Sequence, residues 1–428
     1  MKSFYLISLG CPKNLVDSEY FAGIMESAGY SQAVSIEKTD ITVINTCGFI
    51  RSAKEEAIQE ILEAVEQKNN GNTGKLIVTG CLVKRYKSEL QREIPEVDHY
   101  IDLKDFASFR QLFDPIPRLQ KSRLTLPHYA YLRISDGCNN RCSYCSIPAI
   151  RGKLKSESVE TLVREAESLT AGGVKELILT AQDTTAYGRD NRQKLIRLLE
   201  KLQETEGIKW IRLLYLHPAH LESELIDAFV HLPKLLPYFD IPLQHINDNL
   251  LKSMNRKTDG RKIRILLDQI KNKLPHAAIR TTFIVGYPGE TEKRFRELRT
   301  FVEEQKFTRL GVFCYSREDG TPAYDLKNTV SQKTAEYRRD LLMKIQEEIS
   351  SELLSRFVGN KMEVIVDRKS PEENFSFEGR SYLDAPEIDG TVFITGTGLK
   401  PGDIIDVSII DSWEHDLIGE IMNEREDR

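Results

Sequence analysis

Cys138-Asn-Asn-Arg-Cys142-Ser-Tyr-Cys145 sets three thiols in one short loop, spaced C-x3-C-x2-C. Thiolates are soft ligands, and so tight a set suits an iron–sulfur cluster. Zinc is the rival reading, but structural zinc takes four protein ligands, and no fourth Cys or nearby His closes the set. Three ligands on a four-iron cluster leave one iron open, and an open iron is a substrate-binding position. Cys11, Cys47 and Cys81 form a second, dispersed set, each just after an apolar run: Tyr5–Leu9, Ile41–Asn45 and Leu76–Val78. Their spacings, 36 and 34 residues, are those of a strand–helix repeat. Ligands of an open parallel sheet gather at the carboxyl ends of its strands, so these three thiols are expected to meet on one edge. The plain alternative is three small buried cysteines, against which their common phase in the repeat counts. Cys314, the seventh, lies in Gly311-Val-Phe-Cys-Tyr315 and reads as a core thiol.

Positioning such thiols takes a scaffold. After a polar stretch broken by Pro115, Pro117 and Pro127, which reads as a linker, strand-like runs recur at Ala130–Ile134, Glu176–Thr180, Trp210–Leu216, Tyr238–Leu243, Ile279–Val285 and Arg309–Tyr315. Helical stretches separate them, the first starting after Ser156 and closed by Gly172-Gly173. Consecutive β/α units with right-handed crossovers predict a parallel barrel, closed or incomplete. Its site belongs at the C-terminal strand ends, where the sequence puts Cys138–Cys145, Gln182-Asp183, His217, Gln244-His245, Gly286 and Tyr315-Ser316. Residues 331–357 read as an amphipathic connecting helix with Leu341, Leu342, Ile345, Ile349 and Leu353 on one face. From Lys361, short alternating runs at Met362–Val366, Thr391–Ile394 and Ile404–Ile409 predict a small β-barrel. The fold class is α/β: an open parallel sheet domain over 1–117, a TIM-like parallel barrel over 118–357 and an all-β barrel over 358–428.

At 428 residues, 40% hydrophobic and 29% charged, the chain can bury an ordinary core and is too long for one compact unit. It has no run of about 18 apolar residues, so no membrane span is expected. The N-terminal apolar run is too short for an export signal and is followed by Lys13, Asp17 and Glu19. A cytoplasmic location is expected, where an odd count of 7 cysteines argues for metal or redox chemistry rather than a disulfide framework. The net charge of -5 is uneven: residues 360–428 hold 17 acidic and 7 basic side chains, leaving the remainder at +5.

The Cys138–Cys145 loop, behind the first strand of a parallel barrel, resembles that of the radical S-adenosylmethionine superfamily. The resemblance implies a 4Fe-4S cluster on Cys138, Cys142 and Cys145 whose open iron chelates S-adenosylmethionine. An electron from that cluster then cleaves the cofactor to a 5′-deoxyadenosyl radical, which abstracts hydrogen from an unactivated carbon. It also implies Tyr144 beside the adenine, with Gln182, Gln244, His245 and Gly286 lining the pocket. Plain packing is the competing reading for Tyr144, and His217 and His220 read as hydrogen-bonding residues of the barrel end. The whole layout, with a terminal barrel of the TRAM type, is similar to the methylthiotransferases. In that family the N-terminal cysteines, here Cys11, Cys47 and Cys81, hold a second 4Fe-4S cluster that presents the sulfur unit. The strings Ser8-Leu-Gly-Cys-Pro-Lys-Asn-Leu-Val-Asp-Ser-Glu19, Ser135-Asp-Gly-Cys-Asn-Asn-Arg-Cys-Ser-Tyr-Cys-Ser-Ile-Pro148 and Ala181-Gln-Asp-Thr-Thr-Ala-Tyr-Gly188 look like the RimO branch. That branch modifies an aspartate β-carbon of small-subunit ribosomal protein twelve. Other branches modify the adenosine beside the tRNA anticodon and tend to carry Gln-Met-Asn after the first cysteine.

The implied partners are that basic ribosomal protein or the assembled small subunit, an electron donor and a sulfur donor, with the chain a monomer. Charge supplies a separate discriminator. An acidic terminal domain repels tRNA phosphates and steers a basic protein, and Asp384, Glu387 and Asp389 are expected to form that docking surface. Acidity that serves solubility alone is the plain alternative. Two other functions compete. A tRNA adenosine methylthiotransferase could use the +5 remainder, and a non-catalytic iron–sulfur or ribosome-assembly factor would have little use for an open cluster at a barrel mouth. A Cys314→Ala variant should keep the iron and sulfide content of the wild type in chemical analysis; a drop would make Cys314 a ligand.

Overall fold

The computed structural model describes residues 2–113 and 121–422. The expected linker residues Pro115 and Pro117 and the 117/118 boundary lie outside the described residues. The N-terminal unit runs β1 (Ser3–Ser8), α1 (Pro12–Ser27), β2 (Ser31–Gln32), β3 (Thr39–Thr46), α2 (Arg51–Asn69), β4 (Thr73–Gly80), α3 (Cys81–Glu93), β5 (His99–Tyr100) and α4 (Phe106–Gln111). Its strands pair in parallel in the order β2-β1-β3-β4-β5. The order reverses at β1 and β3, so the crevice at their carboxyl ends is the place for a ligand. Cys11 and Cys47 follow those two strands and Cys81 opens the helix after β4, as the repeat predicted.

The central unit runs β6 (Tyr129–Arg133), β7 (Ser135–Asp136), α5 (Ile147–Arg151), β8 (Lys155–Ser156), α6 (Val159–Ala171), β9 (Glu176–Thr180), α7 (Leu195–Glu204), β10 (Trp210–Leu213) and α8 (Ser223–His231). It continues with β11 (Tyr238–Gln244), α9 (Asp248–Ser253), α10 (Gly260–Lys273), β12 (Ala278–Val285), α11 (Glu292–Gln305), β13 (Arg309–Cys314) and α12 (Gln332–Ser355). Parallel sheets β10-β9-β6 and β11-β12-β13 meet through an Ile211–Leu235 bridge and a hydrogen bond from the Leu216 amide to the Asp240 carbonyl at 2.7 Å. No pairing among the described residues returns β13 to β6, so the barrel is incomplete. Strand β9 is buried throughout, as a parallel strand covered on both faces must be. Helix α7 turns Leu195, Leu198, Leu199 and Leu202 into the core at helical spacing.

Two local expectations are corrected. Ser158, not Ser156, caps α6 by accepting from the Thr161 amide, while Ser156 pairs in β8 and bonds Asp190. Helix α12 is more than a connector. It packs Leu342 and Ile349 into the barrel core and pairs buried Arg338 with Glu290 at 2.8 Å.

The C-terminal unit closes β14 (Lys361–Lys369), β15 (Phe377–Arg380), β16 (Val392–Thr395), β17 (Ile404–Ser412) and β18 (Leu417–Ile421) into a barrel in the order β14-β15-β16-β18-β17. It docks where the central strands begin, at the opposite end from the cysteine loop. Arg380 and Arg212 clamp Glu176 at 2.6 and 2.8 Å, and Arg212 also donates to the Tyr382 carbonyl. Asp389 bonds Arg280 and Tyr238, Asp384 pairs with Arg309, and Tyr129 donates to Glu387. The docking role expected of Asp384 and Asp389 is therefore corrected, since their carboxylates are buried in the barrel floor, whereas Glu387 accepts from Tyr129 and stays exposed. Residue pairs of this kind cost about 3–5 kcal/mol when one partner is removed, because the other charge stays buried. Asp384→Ala should lower stability on that scale in chemical denaturation, whereas Asp406→Ala, which breaks a pair with Lys361 exposed on both sides, should cost less than about 1 kcal/mol.

Candidate metal centres

The N-terminal thiols converge through their loops. Cys11 sits in an extended residue just before α1, with Pro12 at the first helical position and no side-chain cap engaging its thiol. Gly10 holds φ +90, and a Cβ there would lie 2.8 Å from the Cys47 Cβ, so glycine is what lets the two cysteine loops touch. Asn14 ties the site together. Its amide donates to the Leu9 and Thr46 carbonyls, both at 3.0 Å, while its Oδ1 accepts from Arg151 at 2.6 Å and faces Cys81 Sγ at 3.4 Å.

Electrostatics distinguish these thiols. Burial works against ionising Cys11, but Lys13, Arg151 and two backbone amides outweigh it and hold its pKa below the usual thiol value. Burial pushes the Cys47 thiol up, and it takes Cys81 to about 12 despite Arg151. In the second set, burial raises Cys138 to about 11 and Cys145 to about 12. Arg256, fully buried, donates to Cys142 Sγ at 3.6 Å and to the Pro242 carbonyl at 2.6 Å.

Arg151 joins the two sets. It stands at the end of α5, the helix that follows Cys145, and reaches Cys81 Sγ at 3.8 Å, Asp17 at 2.9 Å and Asp136 at 3.3 Å. Arg133 also pairs with Asp17 and Lys104 with Asp136. Burial alone would raise Asp136, yet Arg151, Lys104 and Arg133 hold it far below the carboxylate range. The N-terminal domain is thereby fastened over the C-terminal mouth of the barrel by buried ion pairs.

Around that mouth lie polar atoms that are buried without a partner: Ser135 Oγ, Ser146 Oγ, Thr180 Oγ1, Gln182 Oε1, Gln244 Oε1 and Tyr315 OH. Such groups are costly unless something polar meets them. Tyr215 and Gln244, at φ +61 and +72, take the left-handed conformation that side chains disfavour. The donor sets, three thiols each with no fourth, and this ring of unmet polar atoms fit a cluster with an open iron and a polar cofactor. Asp183, His217 and His220 form a further buried group. His220 bonds Asp183 at 2.7 Å, the histidine rings are 4.7 Å apart, and burial drives His217 down to about 3. Asn140 of the cysteine loop donates to Asp183 at 2.7 Å.

The other residues expected in the pocket divide. Tyr144 lies beside Cys142 and packs against Leu250, Met254 and Tyr287. Gln182 donates to Asp136 at 3.0 Å and keeps its Oε1 free. His245 is fully buried; its Nδ1 accepts the Ile246 and Asn247 amides and its Nε2 faces Glu290 at 3.4 Å, so it braces the turn after β11. A Cβ on Gly286 would lie 2.5 Å from the Ala335 Cβ, so that glycine serves the approach of α12. Cys314 packs partly buried against the barrel core, next to α12. Lys13, Asn14, Asp17, Arg151, Arg256 and Tyr215 were not singled out as site residues from sequence. Only the proximity of Lys13 and Asn14 to Cys11 in the chain could have flagged them.

Family models match in three blocks: the uncharacterized protein family UPF0004 over residues 3–102, the radical SAM superfamily over 132–302 and the TRAM domain over 358–422. A protein of Aquifex aeolicus named ribosomal protein uS12 methylthiotransferase RimO is 45% identical, the alignment covering 97% of this chain and 96% of the relative. One of the same name from Bdellovibrio bacteriovorus is 43% identical over 99% of this chain and 98% of its own length. The chain belongs to the RimO methylthiotransferase family. Among solved structures, the radical S-adenosylmethionine methyltransferase TsrM from Kitasatospora setae, with cobalamin and a [4Fe-4S] cluster bound, aligns with a TM-score of 0.53 at 13% identity. That alignment covers 87% of this chain and 80% of TsrM, and it shows a shared fold. Among the described residues, no helix is long and apolar enough to cross a membrane.

Gly10→Ala should displace Cys47 and lower iron content to the level of a Cys11→Ala variant, while any iron that depends on the Cys138, Cys142 and Cys145 set stays. Iron analysis with electron paramagnetic resonance of the two variants checks this; full iron in Gly10→Ala would refute it.

Proposed function

We propose that the chain transfers a methylthio group to the β-carbon of an aspartate in small-subunit ribosomal protein uS12. The observation that carries this reading is that Arg151, on the helix following Cys145, reaches Cys81 of the other three-thiol set. Cys138, Cys142 and Cys145 would hold the cluster that binds S-adenosylmethionine, and Cys11, Cys47 and Cys81 the auxiliary cluster. When bound, these groups supply the radical that abstracts hydrogen and the sulfur unit that is inserted. The protein's own part is positional. Arg256 offsets thiolate charge at Cys142, Tyr144 packs beside the loop, and Gln182 and Gln244 offer unmet Oε1 atoms to the cofactor. His245 and Gly286 hold the surrounding turns. The buried ion pairs seal the mouth, and a dry site protects a radical from side reactions.

The domains run 1–117 for the auxiliary cluster, 118–357 for the radical core and 358–428 for the terminal barrel. With Asp384 and Asp389 committed to the floor, Glu372, Glu373 and Glu414 are among the exposed acids able to steer a basic protein. Beside them Phe375, Phe393 and Trp413 form an aromatic cluster with ring centroids 4.9–5.8 Å apart, and Trp413 is 41% exposed. Aromatic anchors rimmed by complementary charge suit a protein partner better than tRNA phosphates. The reading includes an external electron donor and sulfur donor, a monomeric enzyme and a cytoplasmic site of action.

Deleting the gene in its native host and examining uS12 peptides and tRNA nucleosides by mass spectrometry tests the reading. Loss of a methylthio group from an aspartyl peptide, with tRNA unchanged, is expected; loss from tRNA, or no loss, would overturn it. Reversing Glu372, Glu373 and Glu414 to Lys should weaken uS12 binding at low salt, and the difference should shrink as salt screens it.

A further inference from the structure

Resting on the two-cluster reading above, we infer that Glu318 is a positioning residue: it fixes how far the Cys47 loop stands from the Cys138–Cys145 loop, and so couples radical formation to sulfur transfer. The two thiol sets belong to different domains, so their separation depends on how those domains are fastened. Arg151 settles one side of the contact, where it reaches Asn14 of α1 and Cys81 of α3. A domain held along one side can still pivot about it. Cys47 lies between β3 and α2, and its loop is tied down from another direction.

The tie is the stretch that follows β13, residues 315–326. Glu318 is only 1% exposed and gathers Lys54 of α2 at 2.7 Å, Arg85 of α3 at 2.9 Å and the Ser316 hydroxyl at 2.7 Å. The same Arg85 nitrogen donates at 2.8 Å to the carbonyl of Gly48, the residue after Cys47. The Arg51 amide, at the start of α2, donates to Ser316 at 3.1 Å. Glu318 therefore holds α2, α3 and, through Arg85, the chain next to Cys47. Its own carbonyl accepts from the Thr321 hydroxyl at 2.6 Å, which closes a tight turn. Two residues on, the Ala323 amide donates at 2.8 Å to the carbonyl of Ser143, between Cys142 and Tyr144. Ala323 is also buried with Leu250, Met254 and Tyr287, the residues against which Tyr144 packs. The stretch from Glu318 to Ala323 thus runs from one cysteine loop to the other. A buried carboxylate between two cations resists displacement, because moving it strands charge, and a turn closed by its own hydrogen bond makes a short, stiff spacer. Misplacing the N-terminal set leaves the work of the Cys138–Cys145 set intact and costs only the transfer.

The test uses the full-length protein with both clusters reconstituted, as wild type, Glu318→Gln, Glu318→Asp and Arg85→Met. Pulsed electron paramagnetic resonance of the reduced protein reads the dipolar coupling between the clusters. Turnover with S-adenosylmethionine and uS12 reads the 5′-deoxyadenosine formed per methylthio group transferred. Glu318→Gln should weaken and broaden the coupling and raise that ratio by about tenfold or more, since misplacing reacting groups by about 1 Å costs up to about a hundredfold. Its iron content and its total 5′-deoxyadenosine should match wild type. Glu318→Asp, which keeps the charge, should recover part of both effects, and Arg85→Met, which frees the Gly48 carbonyl, should reproduce them. Asp384→Ala, weakened at the barrel floor, controls for mere loss of stability and should change neither. Unchanged coupling in both Glu318→Gln and Arg85→Met, or an equal change in Asp384→Ala, would overturn the inference and leave the substrate reading intact. Loss of auxiliary iron in both variants would overturn it in favour of a role in holding the cluster. A wild type without any coupling would remove the two-cluster reading itself, whereas a wild type that couples but transfers nothing to uS12 would overturn the substrate reading alone.

Discussion

A six-stranded parallel barrel that does not close has two open mouths, and the charges it buries must find counter-charges in other parts of the chain. That constraint organises this molecule. At the floor, Glu176, Asp240, Arg212, Arg280 and Arg309 point to the barrel's interior end and are met by Arg380, Asp384 and Asp389 of the terminal barrel. At the mouth, Arg133, Arg151 and Asp136 are met by Asp17 and Lys104 of the N-terminal domain. Leaving either half unpaired costs several kcal/mol per charge, so the same interactions that make the barrel tolerable also fix where its neighbours sit. The meeting of the two thiol sets is a consequence of that docking and could not arise within either domain alone.

The fold was legible because its signals are local. The six barrel runs expected from sequence coincide with β6 and β9–β13 to within a few residues, since parallel strands buried on both faces are continuous apolar runs. The strand–helix repeat likewise located the three N-terminal cysteines on one edge. The terminal barrel was half legible: β15 escaped because its buried residues include Glu378 and Arg380, whose burial depends on partners that no alternation pattern reveals.

The same reason explains the misreading of charge. Counted along the chain, Asp384 and Asp389 belong to an acidic block; in space they face Arg309 and Arg280, which lie far away in sequence. Net charge of a segment predicts its surface potential only when its acids are on the surface. The thiols were found from type and spacing, whereas Arg151 and Arg256, isolated in sequence, gain their meaning only where the thiols converge. His245 and Gly286 lie at the expected strand ends, where His245 accepts two amides of the turn after β11 and Gly286 admits the close approach of α12.

On the function proposed, docking the terminal barrel on the floor would separate gripping from chemistry by the length of the central strands. Strand β11 alone has 7 residues, roughly 20 Å at about 3.3 Å per residue. A partner held at Trp413 and Glu414 must therefore send a projecting segment around the barrel to the mouth. A compact side chain on a rigid surface could not bridge that distance, whereas an extended loop could. Specificity would then be divided: the distal barrel would select by charge and aromatic contact, and the buried mouth would admit only what satisfies its unmet polar groups. Each step alone discriminates modestly. Requiring both in one molecule, at a fixed separation, multiplies them, because the second contact forms at the effective concentration set by the first.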